Sequence, residues 1–183
     1  MGEHNDIALE LARLHVLRGI EFTRQLKLIT IRKEFQPVKG ETDIFSAVSE
    51  SDDDYPSLLN TAQRAVSHGY RVFILPNSKG IRTADFIFER KGIYRMYDLK
   101  TIQGKASVLN RLMESVGQTN HVLLNIATDY QATALARSIK KYFERNAEAV
   151  QVLIFWRNKV MSVTRKTLED RNFVTTFTKI YYK

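Results

Sequence analysis

The chain has 183 residues, and its 28 Lys and Arg against 20 Asp and Glu give a net charge of +8. That is long enough to bury a core and basic enough to favour an anionic partner, nucleic acid first. The absence of cysteine excludes disulfides, thiolate metal sites and cysteine nucleophiles, and no charged-then-apolar leader or bilayer-length apolar run is present, so a cytoplasmic protein with no membrane partner is expected.

In chain order, Ile7, Leu11, Leu14 and Leu17 recur at helical spacing, which predicts an amphipathic helix over about 5–28, capped by Asn5 or Asp6 and open to interruption at Gly19. Residues 33–54 carry Pro37, Gly40, a Ser-Glu-Ser stretch and Asp52, Asp53 and Asp54, the composition of a linker. The expected division is therefore 1–54 as a helical appendage with linker and 55–183 as the main domain. A helix is predicted over 56–68, with Leu58, Leu59, Ala62, Ala65 and Val66 as its stripe and Gly69 as its stop. Residues 70–76 read as a strand, and 77–83 as a basic loop. Beyond the next two strands lie a loop at 101–105, a helix over about 106–118, a buried strand at 121–126 and a long helix capped by Asp129. Residues 151–156 and 160–163 close as a hairpin through a turn at 157–159. This order predicts an α/β fold: a central mixed β-sheet flanked by helices.

The chemistry concentrates in the two strands before that loop. Residues 84–90 and 93–99 are rich in aromatic and β-branched side chains and are separated by Lys91-Gly92, a two-residue hairpin signal. If Arg90 pairs with Ile93, Asp85 comes opposite Asp98, and period-two geometry puts Asp85, Asp98 and Lys100 on one face. Like charges directly opposite cost about 0.2–1 kcal/mol, more where water is excluded. A divalent metal, a shared proton or the Lys100 ammonium would offset that cost. The plain alternative is a solvated sheet edge, since an acid two residues before Lys is common in so charged a chain and recurs at Glu89-Arg90-Lys91.

The order helix, three strands, helix, strand, with Asp85 opening the second strand and Asp98-Leu99-Lys100 ending the third, resembles the α-β-β-β-α-β core of restriction-endonuclease-like PD-(D/E)XK nucleases. Ala84 stands where that family usually has Pro. The segments Ala84-Asp85-Phe86-Ile87-Phe88, Tyr97-Asp98-Leu99-Lys100-Thr101, Gly117-Gln118-Thr119-Asn120 and residues 121–126 resemble the C-terminal toxin nuclease domains of CdiA-type contact-dependent inhibition proteins, some of which are tRNases. The likeness covers about residues 57–165.

The resemblance implies that Asp85, Asp98 and the Leu99 carbonyl hold Mg²⁺ or Mn²⁺. It also implies that Lys100 orients the attacking water and stabilises the transition state. Thr101 is a candidate donor to a phosphate, and Gln118 resembles a position where relatives present a polar side chain. Lys79, Arg82, Lys105 and Arg111 are candidate contacts to the nucleic-acid backbone.

A metal-dependent endonuclease acting on RNA, tRNA included, or on DNA is the expected function, with an immunity protein as a further partner. The alternatives are a metal-independent RNase toxin and a non-catalytic nucleic-acid-binding protein of a mobile element. Of the histidines, His4 and His15 fall in the appendage, His68 ends a helix and His121 opens a strand. No Ser-His-Asp or zinc-ligand spacing supports another hydrolase class.

Overall fold

Two helices, α1 (Gly2–Leu14) and α2 (Gly19–Thr30), open the chain in the computed structural model, which describes residues 2–14, 17–77 and 80–183. The single helix expected over 5–28 is thus two, beginning before the expected caps. Gly19, at φ +65°, stands at the start of the second, a left-handed conformation that a continuing helix does not accommodate. Both still place their apolar stripes in one core: Ile7, Leu11, Leu14, Leu26 and Ile29 cluster with Phe73, Ile87, Tyr94 and Met96. Each such side chain withdrawn from water contributes about 1.5–3 kcal/mol.

The stretch expected as a linker contains two short strands, β1 (Gln36–Pro37) and β2 (Ile44–Ser46), with Ile44 fully buried. Its composition does resemble a linker, but parallel pairing with a later strand recruits it into a sheet. Helix α3 (Tyr55–Ser67) connects β2 to that strand, β3 (Arg71–Ile74), as a parallel crossover. It ends where Gly69 takes φ +87°. The Gly69 N–H then donates to the Val66 carbonyl at 2.9 Å and the Tyr70 N–H to the Ala65 carbonyl at 3.1 Å, a Schellman closure that turns the chain into β3.

The expected hairpin follows as β4 (Phe86–Arg90) and β5 (Ile93–Ile102). Lys91 and Gly92 both have positive φ, +52° and +78°, the backbone of a type I′ turn whose twist matches that of the strands. The register runs from Arg90↔Ile93 to Phe86↔Tyr97, as the two-residue turn requires. Strand β5 extends through Thr101 and Ile102, residues expected in a loop, and the Ile102 carbonyl accepts from the Ala127 N–H at 3.0 Å.

Helix α4 (Val108–Met113), capped by the Ser107 hydroxyl, is shorter than expected. Past it the chain tightens into three-residue hydrogen bonds, Ser115 N–H to the Leu112 carbonyl and Val116 N–H to the Met113 carbonyl, before Gly117 turns at φ +85°. Strand β6 (His121–Ile126) has the expected bounds and crosses through α5 (Ala132–Arg145) to the parallel β7 (Gln151–Trp156), which pairs antiparallel with β8 (Lys159–Thr164). Gln131, not Asp129, occupies the N-cap position of α5. Two further helices, α6 (Arg165–Leu168) and α7 (Phe173–Tyr182), follow in a stretch with no predicted element.

Two compact units result. One extends to Asp98 and takes back Gly117–Thr119; the other comprises Leu99–Val116 and Asn120–Lys183. Composition had put a boundary at 54/55, whereas strand pairing joins β2 to β3 across that point. In the first unit β1 to β5 pair in chain order, with only β2–β3 parallel. The second has its own core, where Val122, Leu124, Val152 and Ile154 meet Leu135, Ile139 and Phe143 of α5 and Phe177 and Tyr181 of α7. The chain is therefore α/β with mixed strand pairing, and α3, β3, β4, β5, α4 and β6 follow one another as expected. Among the described residues no helix is long and apolar enough to cross a membrane.

Candidate functional site

Asp98 sits on β5 one residue beyond the last paired position, Phe86↔Tyr97, and is only 3% exposed. Asp85 lies one residue before β4 and is half-buried. Its backbone is fixed on both sides: its carbonyl accepts from the Leu75 N–H at 2.9 Å, and its own N–H donates to the Tyr97 carbonyl at 3.0 Å. Continued one step, the register would set Asp85 opposite Asp98, but the paired positions end at Phe86↔Tyr97. The regular ladder stops one residue short, because the Asp85 amide bonds to Tyr97.

Gln118 is carried by a turn segment rather than a helix, a correction that follows from the early end of α4. The next residue, Thr119, is 2% exposed, and its hydroxyl donates to the Met96 carbonyl at 2.9 Å. This bond ties the Gly117–Thr119 segment to β5 two residues before Asp98, so Asp85, Asp98 and Gln118 all belong to the first unit. A lone Thr in a polar run gave no sign of that tether, which depends on a partner 23 residues away.

Leu99, Lys100 and Thr101 continue β5 into the second unit, all half-buried. The Lys100 side chain is 12% exposed, and its ammonium lies 3.9 Å from the Glu114 carboxylate. Arg111 meets the same carboxylate at 2.8 Å. Two residues expected to face substrate thus converge on an acid that no motif of the sequence marks. Arg111 and Glu114 are three apart beside α4, a helical pairing visible in the sequence; the approach of Lys100 is not. Lys105 and Arg82 are exposed on loops. Lys79 and His15 lie outside the described residues. His121 is half-buried at the start of β6.

The carboxylates of Asp85 and Asp98 and the Leu99 carbonyl, the groups expected to hold a cation, carry hard oxygens, a chemistry suited to Mg²⁺ or Mn²⁺. Among the described residues no group of three or more His, Cys, Asp or Glu could hold a metal. Mg²⁺ commonly takes one or two carboxylates and keeps several waters, so a pair of acids is a donor set of the kind it uses.

No family model and no curated protein matches the chain. Among solved structures, a chain of a "CdiA-CT/CdiI toxin and immunity complex from Burkholderia pseudomallei" is similar at a TM-score of 0.41 and 11% identity, covering 64% of this chain and 92% of that one. That similarity is too slight to set the fold or the activity.

Proposed function

We propose that the chain is a metal-dependent endonuclease of the PD-(D/E)XK kind, hydrolysing phosphodiester bonds in RNA, tRNA included, or in DNA, and acting as a toxin whose inhibitor is an immunity protein. The observation that carries this reading is the β4–β5 hairpin, whose register leads to a buried Asp98 with the Asp85 backbone pinned just beyond the paired residues. An acid placed at a ladder's end, on backbone fixed from two sides, has the rigidity a reacting centre needs.

Asp85, Asp98 and the Leu99 carbonyl are the groups that would hold Mg²⁺ or Mn²⁺. When bound, such an ion neutralises a phosphoryl oxygen and acidifies a water. Lys100, two residues along β5 from Asp98, donates to the attacking water or to an equatorial phosphoryl oxygen as charge builds there. Glu114 holds its ammonium in reserve through a long ion pair that a phosphate can displace. Gln118, on its tether, presents an amide to the scissile group, while Thr101, Arg82, Lys105, Arg111 and Lys79 bind the flanking strand.

A second reading, a non-catalytic nucleic-acid-binding protein, draws on that same Glu114, which engages both Lys100 and Arg111. Incubation with tRNA, single-stranded DNA and duplex DNA in Mg²⁺, Mn²⁺ or EDTA separates the readings. Cleavage that requires metal and disappears in Asp98→Asn supports the proposal, with thermal melting of the variant reporting that it folds. Cleavage that survives EDTA points to a metal-independent RNase. Salt-sensitive binding without cleavage under any metal points to the binding protein.

A further inference from the structure

The opposite face of the same hairpin carries a second cluster. Alternation along β5 sets Tyr94, Met96 and Asp98 on one face and Arg95 and Tyr97 on the other, and the register adds Phe88 to the second. With Tyr70, Arg90 and Lys91 these residues line an open cleft of about 300 Å³ in the first unit. Behind it a run of rings leads into the core: the half-buried Tyr70 lies 5.2 Å from Phe88, and Phe88 lies 4.9 Å from Tyr97, both of these fully withdrawn from solvent. The Arg90 guanidinium stands over the Tyr70 ring at 5.5 Å. Burial pushes the Tyr97 hydroxyl well above its usual titration range, against the opposing pull of the Arg95 guanidinium, and so keeps it protonated.

The charges here are unmatched. Arg90, Lys91 and Arg95 are exposed, and among the described residues none of them forms an ion pair. Glu89, their neighbour in sequence, engages Arg71 at 3.8 Å and the Gly92 N–H at 2.8 Å instead. His68 registers the resulting field: its pKa is lowered by burial first, then by Arg64 and Arg90.

We propose that this cleft binds a nucleotide of a single-stranded nucleic acid, its phosphate among Arg90, Lys91 and Arg95 and its base against the exposed part of the Tyr70 ring. The volume is about that of one nucleotide, at the small end of ordinary ligand clefts. Cations interleaved with rings are what a strand with unstacked bases uses. An acidic peptide would meet the cations but make no use of the Tyr70 ring and the guanidinium over it. The inference rests on the nucleic-acid reading above and adds a holding site on the hairpin face away from Asp98.

Fluorescence anisotropy with a labelled single-stranded oligothymidylate, in EDTA and across a salt series, is the test. Exchanging both exposed arginines, Arg90→Gln with Arg95→Gln, is expected to weaken binding on the order of tenfold near physiological salt. The same exchange should flatten the log affinity against log salt slope by about 1.4, two contacts at about 0.7 each. Tyr70→Ala should weaken binding of the oligonucleotide but not of inorganic polyphosphate. In wild type, the His68 pKa followed by NMR should rise when the oligonucleotide is added.

Unchanged affinity and slope in the arginine variant would overturn the site. Displacement of the oligonucleotide by oligoglutamate of equal charge, at equal affinity, would overturn the ligand class and indicate an acidic protein instead. Because no metal is present, failure of cleavage leaves this test intact, and failure here leaves the Asp98 test intact.

Discussion

The β4–β5 and β7–β8 hairpins share a design and differ in what their charges do. Each follows a parallel β–α–β crossing, and each turns on two residues that begin with a cation at positive φ, Lys91 at +52° and Arg157 at +51°. Each also sets an arginine over a ring at the edge of a cleft, Arg90 over Tyr70 and Arg157 over Trp156 at 4.7 Å. In the second hairpin the cations are engaged: Arg157 meets Asp129 at 3.2 Å, and the Lys159 ammonium donates to the Ile180 and Tyr181 carbonyls at the end of α7. In the first, the tip cations form no ion pair among the described residues, and the far end carries Asp98. Similar local architecture thus serves packing where its charges are matched and offers ligand chemistry where they are not.

The largest expected contrast is catalytic. Asp98→Asn should lower cleavage on the order of a hundredfold or more, while Asp129→Asn, beside the second hairpin, should leave it unchanged. Equal loss in the two variants, measured as initial cleavage rates, would dissolve the distinction.

Next comes stability. Trp156 is 6% exposed and stacks on Tyr181 with ring centroids 4.9 Å apart and planes 6° from parallel. Trp156→Ala should therefore cost about 3–5 kcal/mol in denaturant unfolding, a loss that Arg90→Gln, at an exposed position, should not approach. The Tyr181 hydroxyl is buried without a well-formed hydrogen bond, although the Tyr130 backbone lies close enough to act on it. Burial pushes its pKa up to about 12, so it stays neutral and serves packing at ordinary pH.

A smaller effect tests the turn itself. Lys91→Gly relieves the left-handed cost and should stabilise by up to about 1 kcal/mol. A shift of the chemical midpoint in the destabilising direction would show that the Lys91 side chain holds the turn.

The smallest effect is a pH dependence. His68 has a folded pKa below its ordinary 6.5, lowered by burial, Arg64 and Arg90. As pH falls below about 6.5 the unfolded chain takes up a proton that the folded chain resists, so wild type loses stability through that window. His68→Gln should lose less there. Parallel curves of unfolding midpoint against pH would show that this imidazole is not the titrating group.

Where signals were local, the sequence alone was enough. The Lys91-Gly92 turn with alternation on both sides dictated the hairpin and its register, Gly69 dictated the end of α3, and the apolar run at 121–126 dictated β6. Those features depend on backbone preferences and side-chain period within about a dozen residues. The direction of the Asp85 amide, the Thr119 tether to Met96 and the meeting of Lys100 with Glu114 depend on groups far apart in the chain. So do β2, a strand that pairs with β3 far along the chain as well as with the nearby β1, and the pairing of Asp129 with Arg157 across 28 residues in place of a cap. Packing brought those partners together, and no periodicity in the sequence encodes a distance between residues that are neighbours only after folding.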